Sequence, residues 1–441
     1  MKKSKYNIIN ELENGVKLAF NSSSCALAEV EDDFINILDE IETIDVNTLS
    51  PERKELVEDM KKGNFIIEDC VDEIEQLKFI NKRGKYSNNS FGLTIAPTLF
   101  CNFKCPYCYE TPQNEQMSEE VQNGIIELVK ENAKYLGDLS VTWYGGEPLI
   151  GKDVVFALSA KLIDLCKENG IEYSAFMVTN GYLVTEQVVE KMKEAQIMSC
   201  QITVDGPERI HNTRRILKDG TGSFNQIIKN IKLLKKNDIN VNIRVNIDKT
   251  NLEYVEELLT FLEENGLQDL HINFGQVTAY TEACSSIAGN CLSTKEYSSA
   301  NINLQKLLHK HGFNADDYPY YPGIKSNYCC ADQINSFVVD PKGFIYKCWN
   351  NIGSEEDAVG NVLRLKDPKV EETMRSIKWV EVNPFEGECL SCNLLPICMG
   401  GCPYMKLKDG KSANCEKWKY HFNEMIKYTY EYKSLKEKEC V

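Results

Sequence analysis

Nowhere in the 441-residue chain is there a run of about 18 apolar residues, which excludes a membrane-spanning helix. Lys2, Lys3 and Lys5 open the sequence, but no apolar segment stands behind them, so no secretory signal is read there. A basic stripe is missing too. A formal net charge of −16, with acidic residues spread over helical faces, argues against unspecific nucleic-acid binding. The expected location is the cytoplasm. Apolar content of 42% and charged content of 26% are those of globular domains, and the length calls for more than one.

What is present in excess is cysteine, at 18 residues. In a chain of this size without a secretory signal, cysteines in clusters imply metal or redox use rather than a disulfide framework. Ten fall into two clustered patterns; the other eight are Cys25, Cys70, Cys166, Cys200, Cys284, Cys291, Cys329 and Cys440. Most of these are expected to be small buried apolar residues. The first pattern is Cys101-Asn-Phe-Lys-Cys105-Pro-Tyr-Cys108. Three thiolates at this spacing can hold three corners of a cubane iron–sulfur cluster. No fourth cysteine is close, so one iron is left open for chemistry. A zinc knuckle or unrelated thiols are the alternatives on the triplet alone.

Residues 1–90 read as a unit of their own. Tyr6–Leu12 and Val16–Phe20 alternate apolar and polar residues around Glu13-Asn14-Gly15, and Asn-Gly supplies the positive φ angles of a hairpin turn. Helical periodicity follows near 30–43, 51–62 and 68–82, with Ser50, Pro51 and Glu52 as a capped start. This hairpin with three helices resembles the winged-helix leader-peptide recognition domain of enzymes that modify ribosomal peptides. The resemblance implies that a precursor's leader adds a strand to the sheet edge; a structural cap is the plainer reading. Arg83–Ser90 is polar and rich in breakers, a linker.

From Phe91 strands alternate with helices. Strands are expected near 93–100, 139–145, 173–180, 199–205, 241–247 and 270–277, and helices near 118–134, 152–169, 185–195, 223–237 and 253–264. Such alternation implies parallel strands with crossover helices. The fold class is therefore α/β, with a partial (β/α)₆ TIM-like barrel over 91–277 and its site at the C-terminal strand ends. A doubly wound sheet competes. Residues 278–325 form a bridging region. Residues 326–441 are loop-rich and cysteine-rich, with a short hairpin at 337–340 and 344–348, and are expected to form an iron–sulfur domain. Its apolar content is too low for a core without bound staples. A final helix near 414–436 is expected to pack on the barrel.

Trp143-Tyr-Gly145-Gly146-Glu147-Pro148 follows the second strand. Two glycines admit a ligand close to the backbone, and Glu147 can accept hydrogen bonds from an ammonium group. Together, Cys-x₃-Cys-x₂-Cys after the first strand and Gly-Gly-Glu-Pro after the second resemble the radical S-adenosylmethionine (SAM) enzymes. The resemblance implies a SAM-binding [4Fe-4S] cluster on Cys101, Cys105 and Cys108, from which a 5′-deoxyadenosyl radical abstracts substrate hydrogen. It places Tyr107 beside adenine, Gly145, Gly146 and Glu147 at the methionine amine, and Thr179 and Asn180 at the ribose. Arg244, a charge in mid-strand, wants a partner; the SAM carboxylate and a structural salt bridge are the two readings. Val204–Arg214 also resembles family sequence, with Asp205 as a possible orienting group.

The C-terminal pattern is more selective. Cys330, Gly343 and Cys348 precede Cys389-x₂-Cys392-x₅-Cys398-x₃-Cys402 and Cys415, which resembles the seven-cysteine SPASM extension of radical SAM enzymes. The resemblance implies two auxiliary [4Fe-4S] clusters, three clusters in all. Cys330, Cys348 and Cys402 belong to the first; Cys389, Cys392, Cys398 and Cys415 belong to the second. The fourth ligand of the first stays open between Cys329, Cys284, Cys291 and a substrate thiolate. Zinc at Cys389–Cys402 is the competing assignment.

Such an enzyme is expected to act on a ribosomally made precursor peptide with a leader, using an electron donor such as flavodoxin or ferredoxin. Its expected product is a cysteine thioether, with a carbon–carbon crosslink as the alternative. The anaerobic sulfatase-maturing type is the rival. In that type an aspartate base follows the second SPASM cysteine, where this sequence has Trp349. A non-catalytic electron carrier or leader-binding module has no use for the Gly-Gly-Glu segment.

Overall fold

The computed structural model describes residues 1–314, 322–410 and 414–439; Cys440 lies outside them. The chain divides into two compact units.

The first unit joins Met1–Tyr86 to Asp317–Cys329 and Val382–Val441. After a short β1 (Lys2–Lys3), the strands β2 (Asn7–Glu11), β3 (Lys17–Asn21) and β4 (Ala26–Val30) form an antiparallel sheet in the order β2-β3-β4. The expected hairpin is present: Gly15 has φ +82°, and Glu11 pairs with Lys17 across the turn. β4 is a third strand that the sequence reading did not foresee. Three helices follow, α1 (Asp32–Glu40), α2 (Pro51–Lys62) and, after the two-residue β5 (Ile66–Ile67) on β1, α3 (Glu73–Tyr86). Ser50 caps α2 by accepting from Arg53 N at 3.4 Å. α3 runs on through much of the stretch read as a linker. Phe34, Ile37, Val57, Met60 and Ile66 fill the space between sheet and helices.

The C-terminal cysteine segment packs into this unit. Tyr6 and Leu77 share a buried cluster with Cys389, Leu395 and Met399. The final helix, Trp418–Glu439, was expected on the barrel; the contacts described for it are to the N-terminal strands. Phe422 meets Phe20 edge-on at 5.0 Å, and Tyr430 Oη donates to Glu29 at 2.6 Å.

The second unit, Ser87–Asp316 with Cys330–Glu381, is built on one sheet. Its strands and helices alternate: β6 (Ser90–Ile95), α4 (Glu119–Asn132), β7 (Asp138–Trp143), α5 (Lys152–Asn169), β8 (Glu172–Thr179), α6 (Glu186–Glu194) and β9 (Ile197–Thr203). Then come α7 (Glu208–Arg214), α8 (Phe224–Lys236), β10 (Asn240–Ile247), α9 (Val255–Glu264), β11 (His271–Gln276) and α10 (Thr294–Lys310). β6 to β11 are parallel and stand in chain order. With right-handed crossovers, that order puts every helix on one face, and it contradicts the doubly wound alternative, in which the order reverses. The C-terminal hairpin extends the same sheet. β12 (Ser336–Val339) pairs in parallel with β6, then β13 (Phe344–Tyr346) and β14 (Gly360–Asn361) add antiparallel edges, and α11 (Val370–Val380) follows.

Alternation within the strands leaves a polar face. On β10, Val241, Ile243, Val245 and Ile247 are buried, while Asn242, Arg244 and Asn246 lie on the other side. In register beside Arg244 stand Thr203 on β9 and Asn273 on β11.

Candidate active site

The triplet occupies the loop after β6. Past the strand ends, the chain from Ile95 to Phe100 continues to pair with the next loop: Tyr144 N donates to Ile95 O, Gly146 N to Thr98 O and Glu147 N to Phe100 O, at 3.0–3.2 Å. This closeness requires the two glycines. A Cβ on Gly145 (φ +101°) would lie 2.5 Å from Thr98 O, and one on Gly146 2.4 Å from Phe100 O. What the missing side chains accommodate is therefore the protein's own chain leading into Cys101.

Glu147 is fully buried, and its carboxylate is occupied. Oε1 accepts from Leu149 N at 3.0 Å and Thr179 Oγ1 at 2.7 Å, and Oε2 from Asn180 N at 2.7 Å. Burial raises its pKa and these three donors pull it back. The side chain thus ties the β7 loop to the end of β8. Asn180 continues the chain of contacts, donating to Asn102 Oδ1 at 2.8 Å and reaching Cys101 Sγ at 3.9 Å. Cys101, Gly145–Glu147 and Thr179–Asn180, far apart in sequence, form one hydrogen-bonded set. Burial pushes the Cys101 and Cys108 thiols up to about 12, with Glu147 and Glu110 respectively as the next cause.

Tyr107 is held at its hydroxyl, which donates to Asp205 and accepts from Arg215 Nη1 at 3.0 Å, with Arg214 over its ring at 5.1 Å. Asp205 is fully buried and also accepts from Asn246 N at 2.8 Å, so it orients Tyr107 and β10. Arg214 pairs with Asp248 at 2.7 Å. Arg215 is different. Only 8% exposed, it has no carboxylate within ion-pair distance among the described residues, and its Nε has no partner. Arg244 likewise makes no ion pair there. Its one hydrogen bond is to Asn246 Oδ1 at 3.1 Å, and its guanidinium fills the space a Cβ on Gly275 would take, 1.5 Å away. Of the two readings of Arg244, the structural salt bridge is not found among the described residues.

The sequence reading passed over three further groups. Arg215 was hidden beside Arg214 in a run of family-like residues. Glu110, two positions past Cys108, is 6% exposed, has an Oε2 without a partner among the described residues, and has its carboxyl pushed up to about 7 by burial. Tyr144 shares a hydrogen bond with Tyr109 and lies 4.7 Å from the Trp349 ring. A signal existed for each, since all adjoin a motif residue.

The later cysteines fall in both units. Cys389, Cys392, Cys398 and Cys415 line one cavity with Leu394, Leu395, Gly400, Glu416, Trp418 and Lys419. Met399, Gly400 and Gly401 have φ of +51°, +79° and +84° and reverse the chain, and Asn414 N then donates to Gly400 O at 3.1 Å, drawing Cys415 in. Cys330 and Cys348 belong to the second unit, Cys329 and Cys402 to the first. Cys284 is fully buried beside Tyr107 and Tyr109, its thiol donating to Thr281 O at 3.3 Å; Cys291 donates to Ile287 O at 3.6 Å. Among the described residues no three His, Cys, Asp or Glu side chains converge as a site for a single metal ion. Thiolates of a cubane sit on different irons and stand further apart than the ligands of one zinc. The donor set at the triplet, soft thiols with the buried Arg215 cation nearby, fits an anionic cluster.

Comparison with known proteins agrees. Residues 95–262 match the family model "Radical SAM superfamily". The chain is similar to a cysteine-type anaerobic sulfatase-maturating enzyme of Clostridium perfringens, 23% identical over 75% of this chain and 93% of that one. It is similar also to the radical SAM cyclopropyl synthase TigE of Paramaledivibacter caminithermalis, 22% identical over 90% and 89%. Among solved structures, anSMEcpe with bound AdoMet superposes with TM-score 0.61 at 21% identity, over 77% of this chain and 99% of that one. Streptococcus suis SuiB bound to precursor peptide SuiA gives 0.54 at 17%, over 93% and 97%. No helix among the described residues is long and apolar enough to cross a membrane. Residues 95–262 thus carry a radical SAM domain, and sulfatase maturases and peptide-modifying enzymes are among the proteins the chain is similar to.

Proposed function

We propose that this protein is a radical SAM peptide maturase that installs a crosslink, a cysteine thioether in the first instance, in a ribosomally made precursor. The observation that carries the reading is the single hydrogen-bonded set joining Cys101, Gly145–Glu147 and Thr179–Asn180. Cys101, Cys105 and Cys108 would hold a [4Fe-4S] cluster that, with SAM bound, supplies a 5′-deoxyadenosyl radical. Arg244 would take the SAM carboxylate, Tyr107 would stand beside the adenine, and the backbone of Gly145 and Gly146 would hold the methionine amine. Asn180 would take the ribose. Arg215 offsets thiolate charge next to Cys105, which Coulomb attraction in a buried site favours.

In the same reading Cys389, Cys392, Cys398 and Cys415 hold one auxiliary [4Fe-4S] cluster and Cys330, Cys348 and Cys402 another. Flavodoxin or ferredoxin is the electron donor. The outer edges of β2 and β4, which carry no strand partner in their sheet, offer the leader a place to add a strand. Peptide substrates are supported by the relatives: SuiB is a structure with its precursor peptide bound.

The sulfatase relatives favour a second reading, formylglycine formation. Trp349 weighs against it, because the position of that type's aspartate base is filled by an indole packed on Tyr144. The deciding experiment incubates the anaerobically reconstituted protein, SAM and reductant with the short precursor encoded beside its gene. A mass loss of two hydrogens per event, with a cysteine lost to alkylation, supports the thioether. A loss of two hydrogens that spares cysteine supports the carbon–carbon crosslink. An aldehyde on a sulfatase peptide supports the second reading, and an unmodified precursor beside rapid SAM cleavage overturns the first.

A further inference from the structure

The second unit presents one helix whose outer face is apolar. α11 is fixed from within. Glu372, 3% exposed, accepts both terminal nitrogens of Arg364 at 3.2 and 2.7 Å, and Arg375 Nε donates to Ala358 O at 2.7 Å. Trp379 and Val380 are buried on the same side. Outward, Val370, Met374 and Ile377 are 72%, 50% and 45% exposed. Steps of four and three residues align them in one stripe. A single exposed apolar side chain needs no explanation, but three in line on an anchored helix do.

The flanking charges select the occupant. Glu371 and Lys378 border the stripe on one side, both exposed, and neither makes an ion pair among the described residues. The pattern is symmetric about Met374. Val370 lies four residues before it and Ile377 three after; Glu371 lies three before and Lys378 four after. Two antiparallel copies crossing at Met374 set Val370 against Ile377 of the partner subunit and Glu371 against the partner's Lys378. Both matches hold to within about one residue's rise of 1.5 Å. A two-fold pair repeats each of these contacts, whereas an unrelated partner gains nothing from the symmetry.

We infer that α11 is the contact of a two-fold self-association of this chain, through an antiparallel helix pair with Val370, Met374 and Ile377 at its centre. Three side chains fall short of the roughly 800 Å² per partner of a standard interface, so the pairing is weak, with Kd on the order of tens of micromolar. Sedimentation velocity on the full-length protein from about 1 to about 200 µM tests it. The wild type shifts toward dimer with concentration. Met374→Glu stays monomeric, with an unchanged circular dichroism spectrum because the site is exposed. Glu371→Lys and Lys378→Glu each weaken the dimer severalfold, and the two together restore it. A monomer at every concentration, a dimer that survives Met374→Glu, or a double charge swap no better than either single one overturns the inference.

Discussion

Around Cys101, Cys105 and Cys108 the neighbours are hydrogen-bonding groups, whereas Cys389, Cys392, Cys398 and Cys415 line a cavity with Leu394, Leu395, Gly400 and Trp418 in which Glu416 and Lys419 are the charged members. The first set stands at the ends of parallel strands, where backbone and side chains of three successive loops meet. The second is held by a reversal of left-handed residues and by the return of the chain at Asn414. Polar, strand-end sites receive ligands and orient them, while apolar enclosures retain what they hold and keep water out. The difference teaches that two sets of clustered thiols in one chain can stand in quite different walls.

The comparison breaks most sharply if the two sites share a fate. Replacing Cys101, Cys105 and Cys108 by alanine is expected to abolish reductive SAM cleavage and leave the iron of the C-terminal cysteines in place. Chromatography of 5′-deoxyadenosine and an iron count read the two sites separately. Unchanged cleavage would remove the basis for the assignment.

Next is Gly401→Ala. A Cβ there would come within 1.7 Å of Asn414 O, a backbone atom, at a φ of +84°. Left-handed strain of about 1–2 kcal/mol adds to a forced backbone shift, for a total of about 3 kcal/mol or more. Thermal unfolding of the first unit should fall, with loss of iron from the Cys415 site, while SAM binding is kept. The mirror change in the other region is Glu147→Ala. It leaves the Leu149 and Asn180 N–H groups and the Thr179 hydroxyl buried without their acceptor, at about 1 kcal/mol each. Urea unfolding of the second unit measures that loss of about 2–4 kcal/mol.

How much of this was legible depended on range. The six parallel strands were readable because each is an apolar run between breakers, and the expected positions of β6 to β11 lie within a few residues of those found. β4 was not, since Ala26–Val30 is a short run that follows Cys25 at φ +58°. α7 was lost behind Gly206-Pro207, a turn signal that here starts a helix. The union of Val382–Val441 with Met1–Tyr86 has no local signature at all, because contacts such as Phe20 with Phe422 span nearly the whole chain. At the site, residue types were legible and their orientation was not. Glu147 was expected to receive an ammonium group, whereas in the fold three protein donors occupy its carboxylate.

Arg244 sharpens the comparison from the ligand's side, since it makes no ion pair among the described residues and is proposed to take the SAM carboxylate. Arg244→Met should raise the Kd for SAM about 30-fold, the loss of one charge-assisted hydrogen-bonded pair of about 2 kcal/mol. Gly275→Ala, which leaves the guanidinium no room, should give a similar shift without touching any charge. Equilibrium dialysis checks both, and wild-type affinity in either variant would return Arg244 to a structural role.

The smallest effect is expected at Cys284, and it tests the boundary of both sites. Its thiol is fully buried, donates to Thr281 O, and packs with Ile287 beside Tyr107 and Tyr109. A buried cysteine with these contacts acts as a small apolar residue, so Cys284→Ala should cost about 1 kcal/mol and leave the iron count unchanged. Cys284→Ser, which keeps the shape and the donor, should cost no more than that. If instead the iron content falls by one cluster in both variants, Cys284 leaves its carbonyl to become a ligand. The line between receiving and enclosing sites would then run through the segment after β11.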